Sequence, residues 1–518
     1  MKEGGTRGGC RVSQKELVLT KRFAFAAAIG AALSMAVATS ASATPQAIQA
    51  PEPVASTGDA TTPDCVTPAP AVAYAWLHCY TAQQIRAAYG VDQLSNKGDG
   101  QTIVLVDSYG SPTAAQDLKT FHDTFFPTEP APDFTAVYPN GQPDFKNVGN
   151  GQSGSAGAEG WAGEATLDIE WAYAIAPHAH IVLLGVPPAE TEGVQGFPNL
   201  FKAISDAIDQ YPPGTVFSQS FGVTEQTFGG AAQAQTARFD AVYQKAIAKG
   251  DTVLASSGDD GTTGPSKQHR DSVNYTVPTV GWPASSPYVT AVGGTQLQYG
   301  WTWNPSSDVP FTADGDYNPA YWNAIAGGNT EAVWNESWLP AATGGGPSTI
   351  YARPSWQDSV ASRIPGNHRG VPDLAWNAAV NGGVLVYTSF FPKTDRVGWH
   401  VYGETSAASP QVAGLVALAN EQQRTSNQPP LGHLAPLLYK VGSNPAAFRD
   451  IAPVTEGSAL SGRLVDNRLF DYNGDGLPVT PGPVSGWPVT SGWDMTTGFG
   501  TPKAPGFVAA IRAARNTP

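Results

Sequence analysis

Thr102-Ile103-Val104-Leu105-Val106-Asp107 is an apolar run without alternation, closed by an acid. That pattern, rich in Val, Ile and Leu, belongs to a strand buried on both faces of a parallel sheet. Working outward, Thr81 to Tyr89 reads as a short helix before it and Ala114 to Phe121 as a helix after it. Downstream, helical periodicity over Glu164 to Tyr173, Leu200 to Ile208 and Ala231 to Lys249 alternates with β-rich runs. These are Ile181-Val182-Leu183-Leu184, Val216 to Ser220 and Thr252-Val253-Leu254-Ala255-Ser256. The alternation predicts an α/β fold, a mostly parallel central sheet flanked by helices on both faces. Residues from about 295 to 350, rich in Trp, Gly and Asn, read as surface loops and hairpins. With no internal repeat and no second composition regime, residues 65–518 are expected to form a single domain.

Only 14% of the 518 residues are charged and the formal net charge is −14. An acidic surface argues against nucleic acid and anionic membranes as partners and suits work at low pH. Lys21-Arg22, the apolar stretch Phe23 to Val37 and Ala41-Ser42-Ala43 form a secretion signal over residues 1–43. Its apolar part is too short to span a membrane, so a secreted, extracellular protein is expected. The long segment before Lys21 suggests a translation start downstream of Met1. Residues 44–64, rich in Pro, Ala and Thr, read as a disordered leader. Cys10 leaves with the signal, and in an exported chain Cys65 and Cys79 are expected to form one disulfide rather than a catalytic thiol.

Chemistry concentrates at three places. In Glu164-Ala165-Thr166-Leu167-Asp168 the two acids stand at i and i+4 and share a helix face, so they can hold a proton between them. In Gly403-Glu404-Thr405-Ser406-Ala407-Ala408-Ser409-Pro410 a Gly and small hydroxyl residues precede an apolar helical run. Ser406 therefore falls at a helix N-terminus, where free N–H groups favour a nucleophilic alkoxide and a developing oxyanion. Asp259 lies in Ser257-Gly258-Asp259-Asp260-Gly261, at the end of a strand. Taken singly, the acid pair could be a solvated helix face, Ser406 an N-cap and Asp259 a turn residue.

Together, and in this order, these segments resemble the sedolisins, the serine-carboxyl peptidases of subtilisin-like fold. The resemblance runs from about Tyr80 to Val508. It is carried also by Tyr80-Thr81-Ala82-Gln83-Gln84-Ile85, Ala174-Ile175-Ala176-Pro177, Trp282 to Thr295, Gly344-Gly345-Gly346, Arg353-Pro354-Ser355 and Val371-Pro372-Asp373. It implies a subtilisin-like three-layer fold. It also implies Ser406 as nucleophile, Glu164 as general base, Asp168 as its orienting partner and Asp259 as the oxyanion donor. Asp107 ends the first strand where the family often has an acid feeding the carboxylate network; a strand-end turn residue is the other reading. A carboxylate base that must be partly ionised and an Asp that must be protonated both point to acid pH.

The resemblance further implies one structural Ca²⁺, with Asp450 and Asp494 as side-chain ligands and Ile451, Thr490 and Gly492 as carbonyl ligands. Hard oxygen donors suit that ion. Thr490 stands where the family usually has Gly. Asp471-Tyr472-Asn473-Gly474-Asp475-Gly476 imitates an EF-hand loop but lacks its closing Glu, Gly482 standing there, and reads as a turn. A Ser-His-Asp triad finds no His in a suitable context, and His178 and His180 read as surface residues at a strand entrance. Three departures from the family stand out: about 36 residues before Tyr80 where a large prodomain is usual, Glu404 for Gly, and Phe221 for Trp. The expectation is a secreted, acid-active, monomeric endopeptidase for polypeptides. A binding protein on the same scaffold, or an esterase or amidase, would share these residues.

Overall fold

The computed structural model describes residues 79–517, apart from 144, 146–154, 187–193, 266–273, 300–301, 304–321, 324–328, 337–340, 381, 391–396, 454–463 and 473–477. The signal, the leader, Cys65 and most of the EF-hand-like segment therefore lie outside the described residues. Cys79 is buried and disulfide-bonded. No helix among the described residues is long and apolar enough to cross a membrane.

The sheet is built from β1 (Thr102–Asp107), β2 (Phe134–Val137), β3 (His180–Gly185), β4 (Val216–Gln219), β5 (Thr252–Ser256), β6 (Thr290–Tyr299), β7 (Asn329–Val333) and β8 (Leu374–Asn377). Its order is β7-β6-β5-β4-β1-β3-β2, with β8 also paired to β6. Every pairing among these strands is parallel except β6 with β7. The chain crosses from β1 to one side for β2 and β3 and to the other for β4. The carboxyl end of β1 is therefore the switch point where α/β sheets place their ligands.

Among the described residues eight α-helices accompany the sheet: α1 (Ala82–Tyr89), α2 (Ala114–Phe125), α3 (Ser155–Ile175), α4 (Phe197–Gln210), α5 (Ala232–Lys249), α6 (Glu404–Thr425), α7 (Ala435–Val441) and α8 (Ala504–Asn516). Strand periodicity divides the core. Ile103 and Leu105 of β1 face a layer containing α3 and α6. Val104 and Val106 face an aromatic layer that includes Phe197 and Phe201 of α4, Phe239 and Tyr243 of α5, and Trp282. Residues two apart point the same way, so Asp107 falls on the face of Ile103 and Leu105, toward α3. Helix α6 is buried throughout its first four turns and packs on α3. Gly414 permits that approach, since a Cβ there would sit 2.6 Å from Ile175 Cβ.

One expectation needs correcting. Within the stretch read as surface loops, Asn329–Val333 adds an antiparallel strand beside β6, and Trp334 after it is wholly buried. Its short, polar-led sequence hides a strand whose burial comes from the neighbouring sheet. His178 bonds Asp99 and Glu129, and His180, the first residue of β3, reaches Thr135.

Candidate active site

Helix α3 begins at Ser155, nine residues before Glu164, and carries Glu164 and Asp168 on the turn facing the sheet. Both are almost fully buried. Asp107 joins them from the end of β1, and one carboxylate oxygen from each of the three lies within 4.8 Å of the others. Among the described residues, both oxygens of Asp107 and Oε1 of Glu164 are buried without a hydrogen-bond partner. The pair expected from the sequence is thus a trio with Asp107 at its hub.

Burial pushes Asp107 up to about 8. Glu164 is raised well above the carboxyl range by burial and by Asp107, while Ser406 and Ser220 pull it back. Asp168 is raised likewise by burial, Asp107 and Glu164, against the Ser220 hydroxyl. Ser220 Oγ donates to Asp168, 3.0 Å from Oδ1 and 2.9 Å from Oδ2. Parity explains it: Ser218 bonds Ser409 of α6, Gln219 meets Tyr243 of α5, and Ser220 returns to the α3 side. Ser220 was missed from the sequence, although polar residues closing an apolar strand, read by parity, would have indicated it. Three carboxyls this close lose their protons stepwise as a unit. A metal held by this trio would require all three ionised in an interior where burial favours their protonated forms.

Ser406 is the third residue of α6 and is 1% exposed. Its Oγ lies near enough to favour the Glu164 carboxylate but makes no well-formed hydrogen bond among the described residues. Such bonds commonly tighten only once substrate is bound. Pro410, four residues on, has no N–H to offer the Ser406 carbonyl. Asp259 follows β5, and its Oδ1 accepts from both the N–H and the Oγ1 of Thr405, each at 2.8 Å. Thr405 Oγ1 in turn accepts from Gly258 N–H at 3.1 Å. Burial raises Asp259 while the two Thr405 donors oppose it. With Oδ1 occupied, Oδ2 is left to carry a proton. Beside Asp259 a groove opens, lined among others by Phe221, Thr224, Asp260, Trp282 and Gly344. Phe221 packs against Phe197 in the aromatic layer.

Glu404 is 5% exposed and adopts φ +70°. For a residue with a side chain this left-handed conformation costs about 1–2 kcal/mol, which is why Gly suits the position. Burial raises Glu404 well above the carboxyl range, and Asp259, Glu164, Asp260 and Glu336 add to it in that order.

A profile of the subtilase family matches residues 149–430. The chain belongs to that family. Within it, the chain belongs to the sedolisin family. Kumamolisin of Bacillus sp. (strain MN-32) is 34% identical over 66% of this chain and 49% of its own length. Sedolisin of Pseudomonas sp. (strain 101) is 31% identical over 53% of this chain and 37% of its own length. The chain therefore spans about half or less of these curated relatives. The crystallised Pseudomonas sedolisin, a serine-carboxyl proteinase complexed with pseudo-iodotyrostatin, superposes with a TM-score of 0.58 at 25% identity. That match covers 84% of this chain and 99% of that one. Here the acids and the serine stand on a subtilisin-like fold, with the mostly parallel sheet expected.

The two segments of the expected calcium site come together. Asp450 Oδ2 accepts from Ser491 Oγ at 3.0 Å and from Gly492 N–H at 2.9 Å. Asp494 Oδ2 accepts from Thr490 N–H at 2.8 Å, and its Oδ1 accepts from Thr496 and Thr497. Two carboxylates from separate segments thus brace one loop through its own N–H and hydroxyl donors. The Arg363 guanidinium, bonded to Thr490 Oγ1 at 2.6 Å, marks the loop's edge.

Proposed function

We propose that this sedolisin is a secreted, acid-active, monomeric serine-carboxyl endopeptidase acting on polypeptides. One observation carries the reading. Ser406, its Oγ free of hydrogen-bond partners among the described residues, faces a buried trio of carboxyls on one side, and a protonatable Asp259 tied to the preceding residue stands on the other. The groove that opens beside Asp259 supports access of a substrate to this acid.

The reaction requires the trio to release one proton, and the Ser406 and Ser220 hydroxyls favour the resulting charge on Glu164 and Asp168. Glu164 takes the Ser406 proton as Oγ attacks the scissile carbonyl. Asp259, protonated, hydrogen-bonds the oxyanion from Oδ2. Glu164 then returns the proton to the leaving amine as the C–N bond breaks, and an ester forms on Ser406. Water, deprotonated by Glu164, hydrolyses that ester and restores the serine. Asp107 and Asp168 keep Glu164 within a proton-sharing unit. Asp450 and Asp494, with the Ile451, Thr490 and Gly492 carbonyls, would hold a calcium ion that cross-links two loops and takes no part in the reaction. One domain over residues 65–518, closed near its start by a Cys65–Cys79 disulfide, completes the reading.

Hydrolysis of denatured protein between pH 3 and 8, with Ser406→Ala alongside, tests this. Activity peaking in acid and abolished in the variant is expected. A folded protein with no cleavage sensitive to Ser406 at any pH would sink the peptidase reading and favour a binding protein. Ester hydrolysis without proteolysis would favour an esterase.

A further inference from the structure

The groove beside Asp259 has a lining of its own chemistry. Two backbone stretches, 220–224 and 256–261, form its walls, and 263–265 with 279–282 close it. Phe221, Val223, Val280 and Trp282 are buried there and belong to the aromatic layer, so one face is apolar. Among the described lining residues the charged side chains are Asp259 and Asp260, and none is basic. Asp259 Oδ1 is taken by Thr405. Asp260 is half-buried and held from one side. Asn274 Nδ2 donates to its Oδ1 at 3.1 Å, and among the described residues Oδ2 has no partner. Thr279 supplies a second polar spot. It is 2% exposed and lines the groove, yet its Oγ1 is buried without a hydrogen-bond partner among the described residues. That hydroxyl faces Gly264, another lining residue, where a Cβ would come 3.4 Å from it. A buried polar group left unmet is destabilising, and a donor carried in by a ligand relieves it.

We propose that Asp260 is a specificity-determining residue: its open Oδ2, with Thr279 Oγ1, receives an arginine or lysine side chain, so that the protein cuts after basic residues. The inference rests on the serine-carboxyl reading, which places the attacked carbonyl between Ser406 Oγ and Asp259 Oδ2. The residue that owns this carbonyl carries its side chain on the adjoining Cα, and the groove beside Asp259 is the space next to it. Lys and Arg offer donors only. They match a site made of one carboxylate oxygen and one hydroxyl oxygen, and their alkyl stems suit walls of Phe221, Val223 and Trp282. An acidic side chain would meet two acids of its own sign. A purely apolar one would leave Thr279 Oγ1 unmet and cover Asp260 without a partner. Neighbours in sequence thus divide the work, Asp259 facing the substrate's carbonyl and Asp260 its side chain.

The test compares peptides identical except for arginine or citrulline before the scissile bond, two side chains that differ in charge and hardly in shape. In the wild type kcat/KM should be about tenfold or more higher for arginine, as a charge-assisted hydrogen bond provides. In Asp260→Asn that ratio should fall to about one, and Asp260→Glu should restore part of it. A merely structural role would lower both substrates together and leave the ratio in place. Burial raises Asp260 to about 6, with Asn274 opposing and Asp259 adding. The ratio should therefore climb from pH 4 to 6.5 in the wild type and stay level in Asp260→Asn. A wild-type ratio near one, or a ratio that Asp260→Asn leaves unchanged, would overturn the proposal. Lys267 and Arg270 stand in sequence between Pro265 and Asn274, outside the described residues; neutralisation of Asp260 by either would give that same overturning result. Calorimetry of folded Ser406→Ala protein with acetylated tripeptide amides ending in arginine or citrulline reads the groove without turnover. Tighter binding of the arginine peptide, lost when Asp260→Asn is added, supports the proposal even where the wild type hydrolyses nothing. Equal binding overturns it even where the wild type is a peptidase.

Discussion

Asp259 Oδ1 accepts two hydrogen bonds from Thr405, the residue immediately before Ser406. Asp259 and Ser406, the proposed oxyanion acid and nucleophile, are therefore positioned by one residue, at the first turn of a helix that is buried throughout its first four turns. Because both donors take the same oxygen, the carboxyl proton is directed to the other.

Replacing Thr405 by Val keeps the N–H and the shape but removes the hydroxyl. Losing a direct oxyanion donor costs about 10²–10³ in kcat; losing one that only orients the donor should cost about tenfold. KM should hold, since the groove is untouched. The hydroxyl favours the ionised form of Asp259, so the alkaline limb should move up in Thr405→Val. Thr405→Ser should restore both rate and profile. Steady-state kinetics across pH would show this, and an unchanged kcat would remove Thr405 from the machinery.

The buried acids also predict how stability follows pH. Asp107 at about 8, Asp251 at about 7, and Asp240 and Asp260 at about 6 all lie above their unfolded values, raised chiefly by burial. A folded state with raised carboxyl pKa values holds more protons than the unfolded chain. Its stability is therefore complete below about pH 4 and is lost as pH rises through the folded values. The melting temperature should be highest near pH 4 and fall toward pH 8. Asp107→Asn should flatten that decline. A melting temperature that rose from pH 4 to 7 would contradict the burial of these acids.

Much of this was readable from the chain because the helices and strands of the sheet carry strong, local patterns. The run Thr252 to Ser256 forms β5 with those bounds, and Thr81 caps α1 through a reciprocal bond with Gln84. The i, i+4 spacing placed Glu164 and Asp168 together because a helix makes that distance short. The role of Asp107 as hub was harder to read: its nearness to α3 depends on which face of the sheet that helix covers, a long-range fact. The start of α3 was concealed by Gly157, Gly160 and Gly163, which argue locally for a loop. Tertiary packing overrides them, and Gly163 lies where a Cβ would come 2.7 Å from the Tyr402 hydroxyl. The conformation of Glu404 went unread for the opposite reason, since nothing in a Glu announces a positive φ.

The contact between α3 and α6 sets the distance from Glu164 to Ser406, and Gly414 sets that contact. A Cβ at Gly414 would also stand 3.2 Å from the Ala172 carbonyl, so the helices cannot remain at their present spacing. Gly414→Ala should destabilise the fold by about 1–3 kcal/mol, the usual penalty for overpacking. It should also lower kcat more than KM. Removing the Ile175 Cγ2 that the new methyl would also meet, in Gly414→Ala/Ile175→Ala, should recover part of the loss. Additive losses in this double-mutant cycle would show that the two residues do not compete for the same space.

Calcium should act on stability alone. The loop 490–494 is held by Asp450 from a separate segment and by its own Asp494. An ion bridging the two carboxylates would therefore resist separation of the C-terminal loops. Adding millimolar Ca²⁺ to chelator-treated protein should raise the melting temperature. A ligand present at about 100 times its Kd adds about 2.7 kcal/mol. Asp450→Asn should remove the increment while leaving the metal-free melting temperature little changed, because an amide oxygen can still accept from Ser491 and Gly492. Asp494→Asn should lower both, since its carboxylate organises Thr490, Thr496 and Thr497 without any metal. Magnesium, which demands a tighter octahedral cage, should substitute poorly. A melting temperature indifferent to calcium in the wild type would leave the two aspartates as loop fasteners only, with Arg363 bracing the same loop through Thr490.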